Sequence, residues 1–336
     1  MRSLFVLIVF SALFLGGCTP IWQKTESIPN TAESVEQIRE KAEQGDAAAQ
    51  FNLGVLYYDG QGVQQNYKQA AAWYRKAAEQ GHAMAQTNIG MMYEQGQGVQ
   101  QSNNQAVAWY RKAADQGSLV AQFNLGVMYD EGHGVQQDDK QANVWYRKAS
   151  DQGDAAAQFN LGVMYYEGRG VQQDYNQAAA WYRKAAVQGH KKAQFNLGVM
   201  YYEGRGVQQD YNQAADWYRK AAEQGHKKAQ FNLGVMYSEG QGVPQDYTQA
   251  VAWYRKAADQ GHDKAQFNLG VMYKKGQGVP QDYAQAYMWT NLAAAHGFEN
   301  AITSRDSLVK KLTASQIEEG QRLAREWMTK HQQSVQ

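Results

Sequence analysis

The sequence predicts an all-α protein, an α-solenoid of helix-turn-helix repeats closed at each end by further helices. Three observations carry that prediction. The unit AQFNLGVMY stands five times, beginning at Ala121, Ala157, Ala193, Ala229 and Ala265, with looser copies at Ala49 and Ala85, always 36 residues apart. Phe51, Phe123, Phe159, Phe195, Phe231 and Phe267 keep this register, as do Trp73, Trp109, Trp145, Trp181, Trp217, Trp253 and Trp289. A fixed period of this length marks a stacked architecture in which one unit cannot bury its apolar face without its neighbours. The prolines agree, since Pro20 and Pro29 precede the array, Pro244 and Pro280 fall in turns, and none interrupts a predicted helix. Seven repeats therefore tile residues 45–296, at 45–80, 81–116, 117–152, 153–188, 189–224, 225–260 and 261–296. A length of 336 would suit two globular domains, but an array grows along one axis, and the sequence predicts a single extended domain.

The first residues differ from all that follow. One charge at Arg2 precedes an apolar run from Leu4 to Leu15, then Gly16, Gly17 and Cys18. The run is short for a membrane span and reads as a secretory signal peptide over residues 1–17. The segment Leu15-Gly16-Gly17-Cys18 resembles the lipobox of bacterial lipoproteins, and the resemblance implies cleavage before Cys18 and lipidation of its thiol. Cys18 is the only cysteine, so it has no internal partner for a disulfide, in keeping with an exported chain whose one thiol carries lipid. Position 19 is Thr rather than Asp, which by similarity to the Gram-negative sorting rule implies the outer membrane, facing the periplasm or the cell surface. Residues 18–30 read as a lipidated tether reaching up to roughly 40 Å when extended. Residues 31–44 read as a capping helix, because Ser34 to Gln44 echoes the second helix of a repeat.

The copy from Gly153 to Gln188 shows how one repeat is built. Asp154 caps a first helix on which Ala157, Leu161, Met164 and Tyr165 share one face. Gly168-Arg169-Gly170-Val171 then makes a turn, Gly being the residue that most readily takes the left-handed conformation past a helix end. Asp174 starts the second helix, and Gln177 three residues on suggests a reciprocal capping box. All seven copies carry that pattern, with caps Asn66, Ser102, Asp138, Asp174, Asp210, Asp246 and Asp282. Ala178, Trp181, Tyr182 and Ala185 form its apolar face, and Gly189 ends it. Gly162, mid-helix, costs about 1 kcal/mol of helix propensity yet recurs in every copy, which suggests close approach of two backbones.

These motifs, AQFNLGVMY, G-x-G-V, D-Y-x-Q-A and W-Y-R-K-A-A-x-Q-G, closely resemble Sel-1-like repeats, relatives of tetratricopeptide repeats, over about three quarters of the chain. The resemblance implies a right-handed superhelix of helix pairs, with the first helices lining a concave face, and an adaptor or scaffold role. Departures are local: Thr87 for Phe, Ile89 for Leu, Asp139 for the Tyr after the cap, and Thr290-Asn291-Leu292 for Tyr-Arg-Lys. Residues 297–331 leave the period but read as capping helices, with a capping box at Thr313 to Gln316 and apolar Ile317, Leu323, Ala324 and Trp327, before a tail at 332–336.

Charge excludes some partners. Thirty-three Lys and Arg against 32 Asp and Glu, interspersed, leave +1 and no field favouring nucleic acid or an anionic membrane. Membrane contact is expected only through Cys18. His82, His190, His226 and His262 share a register with Asp46, Ser118 and Asp154 and read as helix starts, because imidazoles on units about 10 Å apart cannot converge on one metal. The G-x-G-V turns lack the strand and lysine of a phosphate loop, and the Trp and Tyr stripes read as core. No nucleophile and base stand together, so no catalysis, cofactor or metal is expected. Some cysteine-rich relatives in the family have been discussed as cell-wall or β-lactam enzymes, but this chain lacks their paired cysteines.

Variation concentrates at two places on the first helices. Their opening pairs run Ala47-Ala48, Ala83-Met84, Leu119-Val120, Ala155-Ala156, Lys191-Lys192, Lys227-Lys228 and Asp263-Lys264, from apolar to basic. Near their ends Tyr166, Tyr202, Ser238 and Lys274 vary. Both positions share a side with Phe159 and Val163, opposite Leu161. Lys191, Lys192, Lys227, Lys228, Lys264, Tyr166 and Tyr202 are therefore candidate contacts for a protein or peptide partner. The same pattern also suits Phe and Val sealing the joint between repeats, with the lysines merely solvated. The expected function is a non-catalytic interaction scaffold of the cell envelope, or else a periplasmic regulator that restrains another envelope protein.

Overall fold

The computed structural model describes residues 34–332, so the signal peptide, Cys18 and its tether lie outside the described residues. Among the described residues there are seventeen α-helices and no strand. The chain divides into two compact units, Met1–Ala121 and Gln122–Gln336. The first holds α1 (Val35–Glu43), α2 (Ala47–Asp59), α3 (Tyr67–Glu79), α4 (Ala83–Gln95) and α5 (Asn103–Asp115). The boundary falls within α6 (Leu119–Glu131). The second unit continues through α7 (Asp139–Asp151), α8 (Ala155–Glu167), α9 (Tyr175–Val187), α10 (Lys191–Glu203), α11 (Tyr211–Glu223) and α12 (Lys227–Glu239). It ends with α13 (Tyr247–Asp259), α14 (Asp263–Lys275), α15 (Tyr283–Ala295), α16 (Glu299–Val309) and α17 (Ala314–Gln332). The repeating helices are all 13 residues long, so one pair of lengths serves every repeat.

Helix ends follow the sequence closely. Each first helix of the second unit from α8 to α14 stops at a left-handed Gly: Gly168, Gly204, Gly240 or Gly276. Asp174 accepts from the amides of Asn176 and Gln177, and Asp210 and Asp246 do the same in their copies. The capping box itself does not close there. The amide of Asp174 donates instead to the carbonyl of Tyr165 at 2.9 Å, and those of Asp210 and Asp246 go to Tyr201 and Tyr237, so no donor is left for the Gln side chain. The reciprocal box does form at Ser34 with Gln37 and at Thr313 with Gln316.

The helical glycine has a different cause from the one expected. A Cβ on Gly162 would stand 2.5 Å from the Tyr182 ring, on Gly198 2.7 Å from Tyr218 and on Gly234 2.6 Å from Tyr254, so the space is filled by an aromatic ring rather than a backbone. Backbone does meet backbone, but at the second glycine of the turn. A side chain on Gly206, with φ of 65°, would collide with the carbonyl of Tyr175 in the preceding repeat, and one on Gly242 with that of Tyr211.

The core confirms that no repeat is complete alone. Ala178, Tyr182 and Ala185 of α9, Leu197 and Met200 of α10 and Trp217 of α11 form one buried cluster. A second helix, the following first helix and the Trp beyond thus bury one another, which is the nearest-neighbour stabilisation of a solenoid. A glutamine ladder runs through the same joints. Gln194 donates to the carbonyl of Ala186 in the preceding helix at 3.1 Å and accepts from Gln224 at 2.8 Å, and Gln230 does likewise with Ala222 and Gln260. At the far end α17 caps the stack, with Trp327 edge-on to Trp289 at 6.0 Å and its indole N–H donating to Asp259.

Candidate partner-binding surface

Burial divides α10 lengthwise. Ala193, Gln194, Leu197, Gly198 and Met200 are buried, whereas Phe195, Asn196, Val199 and Tyr202 stay half-exposed along the opposite side, below Lys191 and Lys192 at the helix start. α8 and α12 repeat the pattern with Phe159, Asn160 and Val163 and with Phe231, Asn232 and Val235. This spacing of three and four residues is one continuous helical face. The face therefore serves two ends: part of each ring is committed to the joint and part remains open to water.

The histidines show the committed part. Each is a helix N-cap, with His190 Nδ1 accepting from the Ala193 amide, His226 from Ala229 and His262 from Ala265, at 3.2, 3.2 and 3.3 Å. The Phe of the preceding repeat stacks on each ring: Phe159 on His190, Phe195 on His226 and Phe231 on His262, with centroids 4.6, 4.5 and 4.7 Å apart. Burial, and after it the nearby lysines, pushes all three imidazoles down to about 4. They are neutral, acceptor-bound and spaced one per repeat. Among the described residues no group of three or more His, Cys, Asp or Glu is placed to hold a metal ion.

The candidate aromatic contacts are bonded within the array. The Tyr166 hydroxyl accepts from Arg205 of the next turn at 2.8 Å, and Tyr202 donates to Gln241 at 3.0 Å. Each ring also meets a neighbour edge-on, Tyr175 for Tyr166 and Tyr211 for Tyr202. The lysines stand otherwise. Lys191, Lys227, Lys228 and Lys264 are exposed, Lys192 is half-exposed, and all lie in the first two positions of α10, α12 and α14. The glutamine ladder went unforeseen, although a Gln at the same place in seven copies of an otherwise apolar stretch was its signal.

A stack of near-identical helix pairs with a repeated half-open face is the architecture of a helical-repeat protein. The Sel1 repeat model matches residues 47–82, 83–118, 119–154, 155–190, 191–226, 227–262 and 263–298, and the chain belongs to that family. Among solved structures it is similar to a Sel1 repeat protein from Oxalobacter formigenes, at 40% identity and a TM-score of 0.67, covering 82% of this chain and 79% of that one. It is also similar to a protective antigen present in uropathogenic Escherichia coli strains, at 30% identity and a TM-score of 0.47, covering 89% and 95% of the two chains. A Sel1 repeat protein from Klebsiella pneumoniae subsp. pneumoniae matches at 24% identity with a TM-score of 0.38 over 60% of this chain and 99% of that one. A search among curated proteins gave no match. The family's repeat fold commonly mediates protein–protein interaction.

Proposed function

We propose that this protein is a non-catalytic scaffold that binds a protein or peptide partner along the first helices of its repeats. It is exported, lipidated at Cys18 and held at the outer membrane, facing the periplasm. The observation that carries the binding role is the half-exposed Phe, Asn and Val row, which recurs on α8, α10 and α12 at one register. A solenoid that needed these rings only for its joints would bury them fully, as it buries Leu161, Leu197 and Leu233. The anchor reading is supported by the lipobox-like segment and by a cysteine count of one.

Site-specific photocrosslinking tests the binding role. A photoreactive amino acid at Val199 and Val235 is expected to capture one partner polypeptide in cell envelopes, while the same residue at Asp216, on the exposed side of a second helix, captures none. Equal capture from both sides overturns the assignment. Palmitate labelling tests the anchor, and is expected to vanish in Cys18→Ser; labelling that persists refutes it.

A further inference from the structure

The scaffold reading leaves the chemistry of the partner open, and the lysines at the starts of α10, α12 and α14 speak to it. Positive charge at a helix N-terminus opposes the macrodipole and is disfavoured there. This chain places Lys191 and Lys192, then Lys227 and Lys228, then Lys264 in the first two positions of successive first helices. Among the described residues no carboxylate lies within ion-pair distance of Lys191, Lys227, Lys228 or Lys264. The charge of Lys191, Lys227, Lys228 and Lys264 is therefore not placed for an ion pair within the fold. It is also bounded: Ala155 and Ala156 occupy the register before it, and Asp263, the one acid within it, is taken up by His296 at 2.8 Å.

The lysines act as one ledge rather than as separate pairs. His226 feels Lys191 and Lys192 of the preceding repeat together with Lys228 of its own, and His262 feels Lys227, Lys228 and Lys264. Directly below them on the same helices lie the half-open Phe195, Val199, Phe231 and Val235. α11 packs against both α10 and α12, and Phe195 of α10 stacks on the His226 cap of α12 at 4.5 Å, as Phe231 of α12 does on the His262 cap of α14 at 4.7 Å. The lysine-bearing helix starts therefore recur at one helix-packing distance, roughly 10 Å. A polyproline-type chain rises about 3.1 Å per residue with three residues per turn, so every third side chain emerges on one side at intervals of about 9 Å. A β-strand does not offer this, because its side chains three apart point to opposite faces.

We infer that this ledge holds an extended acidic segment of the partner protein, in a polyproline-type conformation, with a carboxylate at every third residue. Each carboxylate meets the lysines of one repeat, one of the two residues between lies over the Phe and Val row, and the other faces water. This rests on the scaffold function proposed above and names the ligand for the same surface.

The test is fluorescence anisotropy of the full chain with synthetic peptides. A peptide of Glu-Pro-Ala triplets is expected to bind, and to weaken at least about tenfold as salt rises from about 50 to about 200 mM. The combined Lys191→Gln, Lys192→Gln, Lys227→Gln and Lys228→Gln variant is expected to lose at least about tenfold in affinity, while the matching Lys→Arg variant retains it. The Gln variant is also expected to melt no lower than the parent, because it relieves charge at two helix starts. Equal binding by peptides of the same composition with Glu at alternate or at every seventh position overturns the inference. So does tighter binding to phosphatidylglycerol vesicles than to the triplet peptide, or unchanged affinity in the folded Gln variant. If Val199 and Val235 still crosslink to a partner while no acidic peptide binds, the scaffold function stands and this inference alone fails.

Discussion

Two joints of the second unit occupy the same register and are closed by opposite chemistry. Between the repeats of α8 and α10, Tyr166 meets Tyr175 edge-on at 5.1 Å and its hydroxyl accepts from Arg205. One repeat earlier the corresponding places hold Asp130 and Asp139, and Arg169 ion-pairs with both, at 3.7 Å to Asp139, and lies 3.7 Å from Glu167 as well. The aromatic joint buries rings and keeps one hydrogen bond. The ionic joint must desolvate charge, and it shows: burial raises the Asp130 carboxyl even though Arg169 beside it pulls the other way. The backbone frame is unchanged between them, which teaches that variation at this register is spent partly on sealing the stack. A variable position on a repeat face is therefore not by itself a ligand contact.

Removing one partner should separate the two joints most widely. Arg169→Ala leaves Asp130 half-buried with no cation and, for a pair this exposed, is expected to cost about 2 kcal/mol in urea denaturation. Arg205→Ala at the aromatic joint removes a hydrogen bond to Tyr166 and a half-exposed pair with Glu203, and is expected to cost about 1 kcal/mol. Equal losses would mean that the carboxylates contribute nothing distinctive to the ionic joint.

Acid should distinguish the joints next. His190, His226 and His262 sit at about 4 when folded, below the ordinary imidazole value of 6.5. Between those values the unfolded chain binds protons that the folded chain does not, so this stability is complete above pH 6.5 and is lost as pH falls towards 4. After allowance for partial exposure, each imidazole accounts for on the order of 1–2 kcal/mol over that window. The cap preceding α8 is Asp154, whose pKa is raised by burial, so its contribution runs the other way, greatest at low pH and lost as pH rises through the raised value. Melting from pH 7 to pH 4 should thus fall steeply, and less so in His226→Asp. A flat profile would show that the imidazoles are not the acceptor-bound caps described.

What the sequence disclosed and what it withheld follow from the range of the interactions. The caps Asp174 and His190 and the stop at Gly168 depend on residues within one or two turns, and each is readable locally. The failed half of the capping box at Asp174 depends on the Tyr165 carbonyl folding back, and nothing in D-Y-N-Q marks that. The need for Gly162 was plain, but its occupant, the ring of Tyr182, lies twenty residues on and on another helix. At the candidate surface the lysines at the starts of α10, α12 and α14 were legible as a run of positive charge. Tyr166 and Tyr202 were legible only as variation, because their bonds to Arg205 and Gln241 span a whole repeat.

The smallest effect gives the sharpest comparison. Asp130→Tyr with Asp139→Tyr copies the Tyr166, Tyr175 and Arg205 set into the earlier joint while keeping Arg169 as the donor. Each carboxylate is half-buried and Asp130 is disfavoured as an anion where it stands, so exchange for rings that fit this frame elsewhere should change stability by less than about 1 kcal/mol, or raise it. The double variant should also lose the parent's sensitivity of this joint to salt, since a ring pair is not screened. A large loss would mean that the frame around Asp130 differs from that around Tyr166 in ways the shared register conceals. A neutral result would establish that the two joints are interchangeable solutions to one packing problem.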